Sequence, residues 1–506
     1  MRLPPFEVLI SLFMYVIALI YAIYHAFQYG QSIDIPENEN SFSEGWSFIG
    51  RKRDDYDSEL ESFVENTKKY TLWYIYHVLL SEIVRQVEPH RICFIHATIG
   101  IIFVSSNFKP LVSAAMFLMI FSYYVTMLMR KPFVWMLTMV WLAILNMLKQ
   151  SVWEERLSPY LTEKEVCDAM IALSWLLLRV TSFAIDYRNA RNKCTQKNSE
   201  QIRDYFSTLN YLAYSFYLPV YLHGPPLTYE RYASMFPKNK LFRIEESLYR
   251  LKELFVALIR IGCLYFLNEF CMHFIYANVV IYNPDQMEHM NLWAVYGFAY
   301  AIGQYFCNKY IIAYGLGLAV AKFDRIDAQQ KPMCVGRIHL YSKMWKHFDQ
   351  GLHDFLFKHI YAEMCTKTSS LPRKLFASFI SFAFIYLWHG YYIFLLVWVF
   401  LNLASLYIEL FGRHIAQSES YNRILKPIGS NNIQRLNALL GGQLLISSSI
   451  SNVMFIGGPS VGKWLMIHTY FTGGFLNYII LSITAYNLFQ VSTFIFKHEQ
   501  NDKKLT

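Results

Sequence analysis

The chain has 506 residues, of which 55% are hydrophobic, 18% aromatic and only 16% charged, with a formal charge of +9 and a mean hydropathy of +0.23. So much apolar and so little charged content excludes a disordered chain and an ordinary soluble domain, and describes an all-α, polytopic membrane protein. The positive surplus does not point to nucleic acid, because the basic residues sit in loops between apolar runs rather than along one stripe.

A transmembrane helix needs about 20 mostly apolar residues. Such runs lie near 6–28, 92–108, 110–129, 132–148, 166–186, 205–223, 253–283, 291–320, 375–400, 435–457 and 468–495. They predict about ten to twelve membrane helices in a single domain over 1–506, the longest runs being bent or double. The first run is long and lacks a small-residue cleavage site, so it reads as a retained signal anchor. Residues 31–69 form a polar connector that mixes both signs in Arg51-Lys-Arg-Asp-Asp55. Two amphipathic stretches, 70–87 and 351–364, are too polar to cross and suit re-entrant or interfacial helices. Arg188, Arg191, Lys193, Lys197 and Arg203 crowd one loop, and Lys322, Arg325, Lys331, Arg337, Lys343 and Lys346 another; loops this basic face the cytosol. The tail 496–506 is assigned to the same side and carries Lys503 and Lys504 close to its end, the spacing of a dilysine retrieval signal that a receptor reads.

Eight cysteines are scattered without CxxC spacing, which supports neither a disulfide framework nor a zinc site. Gly457-Gly-Pro-Ser-Val-Gly462-Lys463 fills the first seven positions of a phosphate-binding loop. The eighth is Trp464, where a magnesium-binding Ser or Thr belongs, and the flanks are apolar spans, so a Gly/Pro-rich turn between helices is expected instead.

Three places carry chemistry. Tyr217-Leu-Pro219 and His223-Gly-Pro-Pro226 end an apolar run with helix breakers, marking either a helix terminus at the interface or the mouth of a cavity. Asp349 follows Trp345 and a basic loop; it fits a helix N-cap as well as a functional acid, since Asp is a favoured cap and an amphipathic helix follows. His389 lies in an apolar run with no charged neighbour in sequence and Gly390 beside it, so it is either a satisfied core histidine or a proton acceptor. An ionisable group at membrane depth costs roughly 3 kcal/mol, which makes such a residue a functional candidate. An imidazole with a reference pKa near 6.5 suits proton abstraction at neutral pH.

Together the blocks Phe42-Ser-Glu-Gly-Trp46 with Arg51-Lys-Arg-Asp-Asp55, Tyr217–Pro225, Cys334-Val-Gly-Arg-Ile-His339-Leu-Tyr-Ser, Met344-Trp-Lys-His-Phe-Asp349, Phe355-Leu-Phe with Ile360-Tyr-Ala-Glu363, Trp388-His-Gly390 and Phe455-Ile-Gly-Gly458 run through essentially the whole chain. This pattern resembles the membrane-bound O-acyltransferase family, and within it the protein-cysteine N-palmitoyltransferase branch of Hedgehog signalling, its insect members above all. Asp349 stands where many members of the family carry Asn, as it does in that branch, and His389 separates the chain from transferase-like relatives that have lost the histidine.

The resemblance implies a helical membrane bundle with re-entrant segments, pierced by a tunnel that joins the two membrane faces. It implies transfer of palmitate from palmitoyl-CoA, entering from the cytosol, to the N-terminal cysteine of secreted Hedgehog-like or, in insects, EGF-like ligand precursors presented from the lumen of the endoplasmic reticulum. His389 is the expected general base, Asp349 a second catalytic residue of unassigned role, and Trp345 a wall of the acyl-CoA path. Cys334 matches a position that holds a haem b iron through its thiolate. Two rival readings stay open: a proton-coupled multipass transporter, which the absence of two related halves disfavours, and an acyltransferase of the same family acting on a lipid or serine hydroxyl.

Overall fold

In a computed structural model the described residues are 3–33, 42–55, 57–149, 156–195, 199–236 and 244–505, so Lys197 and parts of the connector lie outside them, as do the side chains at 500–506. Apart from two antiparallel two-residue strands, Phe42–Ser43 and Arg53–Asp54, the regular structure among these residues is helical.

Among the described residues, seven helices are long and apolar enough to cross a membrane: Pro5–Gly30, Lys131–Leu148, Glu163–Asn192, Glu245–Cys271, Ile393–Ala416, Ser430–Thr472 and Phe475–Glu499. The apolar helices Ile92–Asn107 and Pro110–Thr126 are shorter, and Leu292–Phe323 and Leu371–His389 carry more polar groups. Their outward faces expose large apolar side chains such as Phe6, Phe13, Ile20, Phe121, Ile259 and Phe400. Only a hydrocarbon solvent makes such a surface stable.

Leu292–Phe323 is the central pillar, packed against Pro5–Gly30, Glu245–Cys271 and Ser430–Ile467. One core forms around its N-terminal half; a larger one gathers the helices between Ser58 and Asn192 with the buried segment 211–235. A small third core of Tyr341, Phe382, Leu395, Trp398 and Val399 lies beside the candidate site.

Three sequence expectations are corrected. Ser58–Val87 is one helix, so it begins inside the expected connector rather than at Tyr70. It is inside-out: Asn66, Tyr70, Tyr74, His77, Ser81 and Arg85, spaced three or four apart, face protein, while Leu72, Ile75, Leu79 and Ile83 face outward. The run 205–223 is not a span. Helix Thr208–Ser215 gives way to a 3-10 turn at Leu218–Val220 and then to coil, because Pro219, Gly224, Pro225 and Pro226 stop the helix. The run 375–400 is two helices, Leu371–His389 and Ile393–Ala416, broken at Gly390, whose φ of +122° a side chain rarely adopts. The phosphate-loop look-alike is, as expected, a Gly/Pro break between two helices: within Ser430–Ile467 they meet at a kink where Gly458 is non-helical, with φ of +86°, ahead of Pro459.

The buried coil 216–229 needs partners for its polar atoms, and surrounding side chains supply them. Arg179 donates to the Tyr217 carbonyl at 3.3 Å, Gln329 to the Pro226 carbonyl at 2.8 Å and Tyr214 to the Leu227 carbonyl at 2.5 Å. The segment is thus neither an interfacial terminus nor an open mouth; it is a packed floor.

Candidate active site

Asp349 sits between two short helices, Tyr341–Phe348 and Gln350–Leu356. As the N-cap of the second it accepts from the Leu352 backbone N–H at 3.0 Å through Oδ1, so the capping role holds. Its other oxygen accepts from Tyr314 of the Leu292–Phe323 pillar at 3.4 Å. Burial pushes the Asp349 carboxyl up to about 6, against the opposing pull of the Leu352 N–H, Tyr314 and His353. The following turn presses on the coil floor: a Cβ on Gly351 would lie 2.2 Å from the Pro226 carbonyl oxygen, which already accepts from Gln329 at 2.8 Å. Only glycine fits that approach.

His389 is the last residue of its helix. Its imidazole packs edge-on against Phe455 at 5.1 Å and Trp398 at 5.7 Å, and makes no hydrogen bond to a described residue. It is therefore not the satisfied core histidine that the sequence left open.

No ion pair joins His389 to Asp349 among the described residues, but two aromatic walls do connect them. Phe348, next to Asp349, stacks on Phe306 at 5.5 Å; Phe306 meets Phe455 at 6.3 Å, and Phe455 meets His389. On the other side Tyr314 lies 6.3 Å from Trp175, which lies 5.8 Å from Trp388. Asp349 and His389 are surrounded by protein yet only partly buried by area. Trp345 belongs to the same wall, donating to Tyr341 Oη at 2.5 Å and meeting Trp398 at 5.5 Å.

Cys334 lies elsewhere. It precedes the Val335–Arg337 turn, and its thiol donates to Gln304 Oε1 at 3.2 Å. Nearby, Tyr15 donates to the Gly336 carbonyl at 3.4 Å. Tyr15, Tyr300 and Gly336 line a mainly apolar cavity of about 280 Å³ that extends toward Trp293, Met344 and Leu481 and does not reach Asp349 or His389.

Two polar networks escape sequence reading. In the first, buried Asp324 accepts from His77 Nε2 at 2.8 Å, Tyr217 at 2.6 Å and Arg85 at 3.0 Å, with His96 Nε2 at 3.8 Å. His77, His96 and Asp324 lie close enough to hold a cation. Arg85 already neutralises the carboxylate, so the arrangement ties the Ser58–Val87 helix, the coil floor and the end of the pillar together. In the second, Lys309 pairs with Asp57 at 3.0 Å and Glu59 at 2.8 Å, and Tyr310 donates to Glu59 at 3.0 Å, one turn from Tyr314. The sequence signal for the first was the i, i+4, i+8 run of His77, Ser81 and Arg85 on a helix whose other face is apolar.

A family model for MBOAT, the membrane-bound O-acyltransferase family, matches residues 110–451, which include Asp349, His389 and the aromatic walls apart from Phe455. The chain belongs to the membrane-bound O-acyltransferase family. It is 31% identical over 493 residues, 96% of this chain and 94% of the relative, to the protein-cysteine N-palmitoyltransferase Rasp of Drosophila melanogaster. It is 27% identical over 338 residues, 65% of each chain, to the mouse protein-cysteine N-palmitoyltransferase HHAT. It is also 25% identical over 407 residues, 78% of this chain and 76% of the relative, to the mouse HHAT-like protein. As a membrane-bound O-acyltransferase this protein is an enzyme, and the transporter reading falls.

Proposed function

We propose that this acyltransferase moves palmitate from palmitoyl-CoA to the α-amine of an N-terminal cysteine on a secreted protein. The observation that carries the reading is the unpartnered His389 imidazole, joined by aromatic walls to Asp349, in a chain similar along almost its whole length to a protein-cysteine N-palmitoyltransferase. In the transfer the thioester C–S bond breaks and an amide C–N bond forms. The amine proton passes to His389 Nδ1 or Nε2, and the CoA thiolate leaves and takes a proton. An α-amine of pKa about 7.7–8.0 needs little help to become neutral, so a single base is enough. The stacked rings exclude water, which protects the thioester from hydrolysis. Trp345 and the aromatic walls flank the acyl path. The lysines and arginines of the basic loops offer charge to the CoA phosphates from the cytosol. The acceptor then comes from the lumen of the endoplasmic reticulum, with the C-terminal tail cytosolic and Hedgehog-like or EGF-like precursors as the acceptor class.

The test uses purified protein, labelled palmitoyl-CoA and a peptide with a free N-terminal cysteine. Hydroxylamine-resistant palmitate is expected, because an amide survives where a thioester or oxygen ester does not. Acetylating the α-amine is expected to abolish stable product. Equal labelling of the acetylated peptide, released by hydroxylamine, would assign the enzyme to thiol or hydroxyl acceptors instead; labelling of lipid alone would favour a lipid hydroxyl.

We also propose that Cys334 ligates a haem iron. The residues fit: a soft thiolate donor stands beside a largely apolar cavity whose wall includes Tyr15, Tyr300 and Gly336. Cys334 would hold the iron through its thiolate, and the coordination bond would restrain the Val335–Arg337 turn that follows it. Wild-type protein is expected to show a Soret band that Cys334→Ala loses, with a lower thermal midpoint, since a ligand held only by the native state stabilises it. A well-folded wild type without a Soret band removes haem from this account.

A further inference from the structure

The helix that ends in His389 stops at buried Gly390, just ahead of the exposed apolar side chains of Tyr391, Tyr392 and Ile393, and the last four carbonyls of any helix lack partners within it. All four find one here. Tyr386 O accepts from the Gly390 backbone N–H at 3.1 Å. Leu387 O accepts from Asn146 Nδ2 at 2.7 Å, and Lys149 Nζ donates to Trp388 O at 3.3 Å and to His389 O at 3.5 Å. Asn146 and Lys149 stand together at the end of Lys131–Leu148, a helix far away in sequence. Asn146 is 5% exposed and also donates to Leu142 O at 2.9 Å, so its amide is fixed from both sides. Its Oδ1 lies 3.6 Å from the place a Cβ on Gly390 would take, so the clasp closes directly against the break in the chain.

We propose that Asn146 and Lys149 are positioning residues for the transfer reaction, a clasp that sets where the His389 imidazole stands. The inference rests on the reading of His389 as the base. The ring has no hydrogen bond to a described residue, and aromatic packing against Phe455 and Trp398 restrains its tilt more than its position along the helix axis. That position comes from the backbone, and His389 is the residue that frays first when terminal carbonyls lose their donors. The macrodipole also favours a cation at this end of the helix, which Lys149 supplies. A base displaced by about 1 Å loses on the order of 100-fold in rate.

Asn146→Ala, Lys149→Met and Lys149→Arg are compared with wild type for kcat and for KM toward palmitoyl-CoA, per mole of folded protein, with His389→Ala in parallel. The expected result is a kcat lower by about 10- to 100-fold in the first two, with KM within about twofold of wild type and most activity restored in Lys149→Arg, which keeps a long cationic donor. If Asn146→Ala fails to fold, Asn146→Asp replaces it, keeping shape while turning the donor at Leu387 O into an acceptor; the same fall in kcat is expected. Wild-type kcat per folded molecule in Asn146 and Lys149 variants, with only a lower thermal midpoint, would reduce the clasp to a structural cap and overturn the proposal while His389→Ala remains inactive. A rise in KM with kcat unchanged overturns it too. Wild-type turnover by His389→Ala overturns both this inference and the reading beneath it.

Discussion

His389→Ala is expected to lower palmitoyl transfer by about 10²- to 10⁴-fold, the range a positioned general base contributes, while leaving membrane insertion and palmitoyl-CoA binding near wild type. The imidazole hydrogen-bonds to no described residue, so removing it breaks no polar network. It leaves a small gap beside Phe455 and Trp398, which stack on each other at 4.2 Å and hold that wall without it. The loss therefore falls on the transition state rather than on binding, and kcat drops with KM nearly unchanged. Turnover of purified mutant in detergent against labelled palmitoyl-CoA and a cysteine peptide measures this, with a size-exclusion profile as the control for folding. A mutant that turns over within a few-fold of wild type would remove His389 as the base.

The same residue shows what one sequence can and cannot disclose. His389 stands out in sequence because nothing charged surrounds it, and its type in that setting is enough to nominate it. The break at Gly390 was hidden, since Trp388 to Tyr392 is apolar enough to continue a helix and only the backbone angle at Gly390 reveals the stop. Asn146 and Lys149 were invisible for a different reason. They act on carbonyls of a helix more than two hundred positions away, and no local pattern encodes such a partner. Spans bounded by loops were legible because hydrophobic length alone sets them, as for Pro5–Gly30 and Lys131–Leu148. Hydropathy misleads where the chain is buried in protein rather than in lipid: the tyrosine-rich coil around Tyr217 reads as a span because its hydroxyls count as polar only when a partner is in view. Ser58–Val87 fails in the opposite sense, its polar stripe being turned inward on Asp324 while its apolar side meets lipid.

Asp349→Asn is expected to stabilise the protein and to slow it. The two short helices around Asp349 enclose a carboxyl that burial pushes from 3.8 up to about 6. The sign follows from linkage. A carboxyl with a folded pKa above its unfolded one makes the native state less stable as pH rises from about 3.8 to about 6, and the full cost persists at pH 7, where both states are ionised. About two pKa units correspond to roughly 3 kcal/mol, an upper bound here because the side chain keeps some accessible surface that screens it. Asparagine removes the charge, and through Oδ1 it still accepts from the Leu352 N–H as an N-cap. Its thermal midpoint at pH 7 is therefore expected to exceed that of wild type, and the advantage to vanish below about pH 4, where the aspartic acid is neutral in both states. Asp349→Ala, which loses the cap, is expected to fall below Asp349→Asn by about 1 kcal/mol. Activity is expected to move the other way. We propose that the Asp349 charge serves the reaction by holding the acceptor's ammonium beside Tyr314 until the proton leaves, so Asp349→Asn is expected to lose at least about tenfold in kcat/KM, an effect of the size a buried charge-assisted hydrogen bond carries. Thermal melts of the three proteins from about pH 3 to pH 8, read beside kcat/KM at pH 7, separate these terms. Full activity in Asp349→Asn would leave Asp349 as a cap and a spacer, with the charge playing no part in transfer.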